Sequence, residues 1–296
     1  MTSAAAPFGR WERMLAGRYL RAKRSQGGVA LISIISFVGI MLAVAVLIIV
    51  MSVMNGFRSE LLDRTLGFNG HVFVSGGSLF QPEVEQLAGE IANMPGVTQA
   101  APMVEAQAMA LGQGQISGVV VRGLSEPDLR RTEIVSGNIV RGSLEGFGEG
   151  DYGGDLVVIG DRLADTLGVQ PGDPLTLISP SGGATAFGYT PQRKTYTVAA
   201  TFSVGMSEYD QLFIYMPLEQ AQLFFAREGV VDVVEIRVAD PDRAAALKPA
   251  VAELAGPSAI VTDWTQRNAS FWNALKIERN VMRLILMLIV AIAAMN

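Results

Sequence analysis

From Val29 to Met54 the chain reads VALISIISFVGIMLAVAVLIIVMSVM, 26 residues in which three serines are the only polar side chains. About 20 such residues cross a bilayer core, so this run predicts a membrane span. A cleaved leader would carry a shorter apolar core of about 7–15 residues. After Asn55-Gly56, residues Phe57, Glu60, Leu61, Leu62 and Leu66 keep helical spacing up to Gly67. A helix from Val29 to Leu66 would have 38 residues, ~57 Å at 1.5 Å each. Roughly 30 Å of that is hydrocarbon core, so the remainder predicts a stalk above the membrane, with a kink at Gly56 as the alternative.

The other end of the chain repeats the pattern in mirror order. Trp264 to Arg283 is helical in period, with Phe271, Trp272, Leu275, Val281 and Met282 available for one broad face. LILMLIVAIAAMN follows, and its 13 residues are too few to span. The expectation is a sequence that stops inside a second membrane helix.

Between these ends the periodicity changes to that of an α+β body. Strands are predicted at His71–Ser75, Val97–Leu111, Gln115–Gly123, Val230–Val238 and Ala259–Thr262, and helices at Pro82–Asn93 and Pro241–Leu254. A helix-on-sheet layer fits that order. The stretch of about 125–225 reads as an inserted second unit. It opens on the acidic, Gly-rich run EGFGEGDYGGD (Glu145–Asp155), which lacks EF-hand spacing and reads as a solvated loop. Strands at Leu156–Ile159, Leu175–Ile178, Thr195–Phe202 and Leu212–Tyr215 follow, with helices at Asp161–Leu167 and from Pro217 through Phe225. The fold class is therefore membrane α-helical plus an α+β exported domain. Its parts are a basic amphipathic segment (1–28), a first membrane helix (29–56), a stalk (57–67), the body (68–263), a second stalk (264–283) and the start of a second membrane helix (284–296).

The connection Ser179–Lys194, SPSGGATAFGYTPQRK, is 16 residues long, whereas hairpin loops usually take about 2–5. Pro180 and Pro191 bracket it, Phe187 and Tyr189 stand among glycine and small residues, and Gln192, Arg193 and Lys194 lie at its base. Long loops with apolar tips often carry binding; a plain mobile loop is the other reading.

Charge fixes the direction of the chain. No charged residue occurs from Ser25 to Phe57, and none follows Arg283. Residues 1–28 hold six Lys/Arg against one Glu, a net of +5, and 58–283 hold 17 Lys/Arg against 27 Asp/Glu, a net of −10. A basic flank before the span keeps the N-terminus cytoplasmic and exports the acidic body. Trp11, Met14, Leu15, Tyr19 and Ala22 are spaced for a short helix on the inner membrane face; a merely basic stop signal explains the arginines equally well. An acidic body repels phosphate, which excludes a nucleic-acid binder. The charged fraction of 17% lies below roughly 25% for soluble domains, as membrane segments dictate. With no cysteine and a single histidine, His71, disulfides, thiolate metal sites and Ser/His or Cys/His catalysis drop out. There is no G-x-x-x-x-G-K-[ST], hence no nucleotide-binding P-loop.

The runs FVGIMLAVAVLIIVMSVMNGFRSELLDRTLGFNGHV, GDRLADTLGVQPGD and WNALKIERNVMRLILMLIVAIAAMN resemble the lipoprotein-releasing permeases LolC/LolE of Gram-negative bacteria, over nearly the whole chain. MNGF leading into a leucine-rich helix and the closing ALKIERNVM are the most specific parts. GVxPGD is shared with macrolide-exporter-type permeases. The resemblance implies a non-catalytic inner-membrane subunit of an ABC transporter, with four membrane helices in the whole protein and residues 58–283 periplasmic. It implies a separate ATPase subunit dimer that binds ATP and Mg, no cofactor or metal in this chain, and a second permease copy or homologue. The substrates implied are triacylated lipoproteins, extracted from the membrane and handed to the periplasmic carrier LolA.

By the same resemblance, Pro180, Phe187, Tyr189 and Pro191 sit where a carrier-gripping hook is expected, and Gln192, Arg193 and Lys194 match a neighbouring polar contact patch. Val46, Ile49, Val50, Met51 and Met54 would form an apolar wall for acyl chains, methionine being adaptable to irregular apolar ligands; facing bulk lipid is the alternative for each. Two other readings stay open: a two-span sensor with an exported domain, and a mechanotransmitting permease serving an efflux or cell-wall system.

Overall fold

The computed structural model describes residues 11, 13–14, 18, 27–76, 79–180, 184–185, 188–189, 191–267 and 269–295. The expected amphipathic helix ahead of the span rests mostly on residues outside that set. The chain divides into two compact units, Met1–Ser59 with Phe271–Asn296, and Glu60–Ser270.

In the first unit, helix α1 (Gly27–Phe68) begins an unbroken run of 42 residues, ~63 Å long. Gly56 does not interrupt it, so the continuous-helix expectation holds over the kink. Within α1, Leu31–Gly56 is long and apolar enough to cross a membrane, with a mean hydropathy of 3.1 and 6% of its most apolar window buried. Exposed Ile32, Phe37 and Ile48 would be costly in water and are at home in hydrocarbon. The least exposed positions are Ser36, Ile40, Val44, Leu47, Met51 and Met54, at alternating four- and three-residue steps that define one seam. In the C-terminal helix (Ala269–Met295), Glu278, Met282 and Ile289 are shielded at similar spacing.

The second unit is built on one long strand. β1 (Val72–Ser75), helix α2 (Glu83–Ala92), β2 (Val97–Gly112) and β3 (Gln115–Leu124) follow α1. Helices α3 (Glu126–Arg131) and α4 (Glu133–Ser136), β4 (Ile139–Gly142) and β5 (Leu156–Gly160) come next. Then come α5 (Asp161–Leu167), β6 (Pro174–Ser179), β7 (Ala184–Thr185), β8 (Gly188–Tyr189) and β9 (Gln192–Phe202). The order ends with α6 (Ser207–Leu212), β10 (Phe213–Pro217), α7 (Leu218–Phe224), β11 (Val233–Val238), α8 (Ala244–Ala255) and β12 (Ile260–Asp263). The first half of β2 pairs antiparallel with β11, which pairs with β1 and through it β12. Helices α2 and α8 cover this small sheet, burying Val84, Ala88 and Ile91, and Ala244 and Val251.

The second half of β2 turns into a different structure. It pairs with β3 on one side and β6 on the other; β3 pairs with β10, β10 with β5, β5 with β9, and β9 back to β6. Six strands thus close into a ring. Alternate residues point inward: Ala108 and Ala110, Val119 and Val121, Val157 and Ile159, Leu175 and Leu177, Tyr196 and Val198, Ile214 and Met216, all buried. Helices α5 and α7 add Leu163, Leu167 and Phe224 to the same core. Gly123 lets α7 approach β3, since a Cβ there would lie 2.2 Å from Ala221 Cβ. Gly168 ends α5 in the left-handed conformation at φ 69°, as helix C-caps favour.

The inserted stretch of about 125–225 therefore supplies β5, β6, β9 and β10 but closes its ring on β2 and β3, which precede it. The Gly-rich run at 145–155 departs from the solvated loop expected of it. Phe147 is buried with Leu144 beside Phe202 and Tyr215 in a second core on the outer face of the ring, so an apolar anchor holds the turns down. The short elements α3, α4, β4 and α6, of four to six residues, were not anticipated, because so few residues carry no period.

Leu177, fully buried on the closing strand β6, measures the ring. Leu177→Ala should destabilise the protein by about 2–5 kcal/mol, whereas Arg193→Ala on the exposed face of the neighbouring strand should change stability by under about 0.5 kcal/mol. Thermal melts of both variants check the contrast, and equal losses would refute a packed ring interior.

Candidate functional site

Among its described residues the long connection carries two antiparallel strand pairs. β6 and β9 pair with Ser179 opposite Gln192, Ile178 opposite Arg193 and Leu177 opposite Lys194. Beyond them β7 and β8 pair Ala184 with Tyr189 and Thr185 with Gly188. Pro180 and Pro191 are exposed where the inner ladder gives way to the outer one. Proline lacks an N–H and suits such a ladder break. Tyr189 lies in β8, and Phe187 falls outside the described residues.

Strand parity then separates the three polar residues at its base. Arg193 is exposed on the outer face of the ring. Gln192 and Lys194 are on the opposite face, because successive side chains alternate. Lys194 is occupied there: its Nζ lies 2.7 Å from Asp155 Oδ1, donates to Gln220 Oε1 at 2.8 Å, and sits 5.1 Å from the centre of the Tyr196 ring. Its role in this fold is to close the ring edge, so of the polar patch Arg193 is the residue presented outward.

The apolar wall is divided in the same way. Val46, Ile49 and Val50 are 51%, 61% and 43% exposed. Met51 and Met54 lie with buried Leu47 on the shielded seam.

Sequence reasoning missed a third feature, the place where α1 ends. Arg237 on β11 donates from Nη1 to the Gly67 carbonyl at 2.7 Å and from Nη2 to the Phe68 carbonyl at 2.9 Å. Glu235 steadies the same guanidinium at 2.9 Å. His71 accepts at Nδ1 from the Val238 N–H at 2.9 Å. That pattern selects the neutral tautomer with its proton on Nε2. On the other side Arg122 donates to Asn69 Oδ1 at 2.8 Å and pairs with Glu105 at 2.9 Å. Its guanidinium lies 5.1 Å from the Phe68 ring centre and 4.5 Å from that of Phe213. Burial alone would depress Arg122, but Tyr215, Glu235 and Glu105 outweigh it and hold the charge. The legible clue was a charge inside an apolar strand: Arg122 in VVVRGL, and Glu235 and Arg237 two apart in VVEIRV.

Comparison with known proteins places this geometry. The sequence profile of the MacB-like periplasmic core domain matches residues 33–254, which takes in the span, the sheet and the ring. The lipoprotein-releasing system transmembrane protein LolC of Neisseria meningitidis is 32% identical over 280 residues, covering 94% of this chain and 67% of that one. LolE of Haemophilus influenzae is 28% identical over 285 residues, covering 94% and 67%. The chain thus spans about two thirds of the length of the curated relatives it matches. Among solved structures, the periplasmic region of MacB from Actinobacillus actinomycetemcomitans aligns with a TM-score of 0.47 at 11% identity, covering 72% of this chain and 98% of that one. The profile match defines a chain carrying a MacB-like periplasmic core domain, and the identity to LolC places it in the LolC/LolE group of ABC-transporter permeases; the chain belongs to that family.

The helix end generates a pH prediction. The pKa of His71 is lowered from 6.5, first by burial and then by Arg237, so the folded state favours the neutral ring. The unfolded chain binds the proton first, so stability should fall as pH drops below about 6.5 and level off below the lower folded pKa. Melting temperature against pH should show that step, and His71→Gln should remove it; a step of unchanged size would assign it to other groups.

Proposed function

We propose that this chain is a permease subunit of an ABC transporter that extracts outer-membrane-destined lipoproteins from the inner membrane and passes them to a periplasmic carrier. The observation that carries the reading is the 32% identity to a lipoprotein-releasing LolC over 94% of the chain. The hairpin between β6 and β9 on an exported MacB-like body gives that reading a place of contact. The basic N-terminal segment stays in the cytoplasm, 58–283 occupy the periplasm, and the apolar part of the C-terminal helix begins a second span.

In this reading the chain is not an enzyme. ATP and Mg bind to a separate ATPase subunit dimer, and this chain pairs with a second permease copy or homologue. Acyl chains of a triacylated lipoprotein enter beside α1, where Val46, Ile49 and Val50 present apolar surface and Met51 and Met54 lend an adaptable flank. Closure of the dimer drives the lipoprotein toward the LolA carrier, which grips the hairpin between Pro180 and Pro191, with Phe187 and Tyr189 as apolar contacts. Arg193 supplies the charged contact beside it, and Gln192 flanks it from the other face.

Arg193→Glu reverses the outward charge and should weaken capture of the carrier by the purified membrane protein about tenfold or more, the size expected when a charged interface contact becomes repulsive. Excising 181–190 should abolish capture, while Lys194→Ala should lower the melting temperature more than it lowers capture. Carrier binding that survives both the excision and the charge reversal would remove the hairpin from the interface and favour a permease that moves no lipoprotein.

A further inference from the structure

Helix α1 is one unbroken element, yet its first residues belong to one compact unit and its last nine, Glu60–Phe68, to the other. The final turn of α1 therefore lies within the body's own unit, where named side chains hold it.

That hold is unusually direct. The last carbonyls of a helix have no partner within it. Most helices leave them to water or to a following glycine in the left-handed conformation, but neither Gly67 nor Gly70 adopts it here. Instead the Gly67 and Phe68 carbonyls are both taken by the Arg237 fork. A positive guanidinium at this negative end also opposes the helix dipole favourably. Glu235, buried beside it, presets the fork. Phe68 is fully buried, stacked on Tyr209 at 4.1 Å and edge-on to Phe213 at 4.8 Å. Asn69 donates to the Tyr209 hydroxyl at 3.0 Å and accepts from Arg122. The grip thus joins the helix at once to the small sheet, through β11, and to the outer wall of the ring, through β10.

We propose that Arg237, with Phe68 packed opposite it, is a positioning residue of transport: a rigid joint that converts movement of α1 into movement of the periplasmic body. This rests on the transporter reading above and adds to it the place where force crosses between membrane and body. Arg237 touches no substrate; it acts through the helix end it holds.

The test uses the full-length protein in complex with its ATPase subunits, reconstituted in proteoliposomes with a lipoprotein and soluble carrier. ATP hydrolysis and lipoprotein transferred are measured in the same samples for the wild type, Arg237→Leu, Arg237→Lys and Tyr209→Phe. Hydrolysis should stay within about twofold while transfer per ATP falls about fivefold or more in Arg237→Leu, the range that loss of coupling through a discrete contact produces. Arg237→Lys, which keeps the charge but not the fork, should be intermediate, and Tyr209→Phe, which removes the hydroxyl that Asn69 bonds and keeps the ring, should be milder. An unchanged transfer-per-ATP ratio in both Arg237 variants would overturn the proposal, as would hydrolysis and transfer falling in proportion, the mark of a merely structural arginine. If Arg237→Leu does not assemble, the ratio in Arg237→Lys decides. A wild-type complex that hydrolyses ATP but transfers nothing would sink the transporter reading instead. The joint is then judged by nucleotide-driven change in the distance between spin labels on the two periplasmic bodies, which Arg237→Leu should abolish and which, if unchanged, refutes the joint.

Discussion

The structure depends on how the end of a 42-residue helix is fastened to a β-body. An exposed helix end would leave carbonyls to solvent and let the chain swivel at Asn69-Gly70. Here the Arg237 fork takes the last two carbonyls, Arg122 holds Asn69 just beyond them, and an aromatic cluster closes over Phe68. Such a grip costs something: each buried charge must be paired. Arg122 finds Glu105 and Arg237 finds Glu235. The small sheet and the ring then take their relative placement from what they share with this helix end, since β11 holds its carbonyls and β10 its last side chain.

Much of this architecture was legible in the sequence because it follows from period. The membrane run, its continuation past Gly56, and the alternation in β3, β5 and β10 all announce themselves in apolar spacing. Closure of the ring did not, because β9 and β6 return to β2 through pairings distant in sequence and no local pattern encodes them. The helix end escaped for a related reason. Arg122, Glu235 and Arg237 looked like ordinary interruptions of apolar strands, and only the fold shows that Arg237, paired with Glu235, reaches carbonyls some 170 residues away in sequence and that Arg122 holds Asn69 just beyond them.

The hairpin shows the limit from the other side. Its prolines and its length drew attention to the connection, and the resemblance to LolC/LolE implied three consecutive polar residues as one patch. Consecutive residues on a strand cannot share a face. Once Gln192 opens β9 as a strand, Arg193 is turned outward and Lys194 inward, where Asp155 and Gln220 occupy it. On the membrane side Met51 and Met54 are less exposed than Val46, Ile49 and Val50.

The 16-residue strand β2 bears on how such bodies diversify. Its first half completes the small sheet and its second half completes the ring, so neither half owns it. Lifting out the stretch of about 125–225 would leave β2 and β3 with open edges and unpaired backbone groups, and a transplanted copy would arrive without two of its six staves. The insert is therefore not a portable module. Changes that keep the frame paired have to enter at the tips of strands, such as the hairpin between β6 and β9, where residues can be added or replaced without unpairing the ladders beside it.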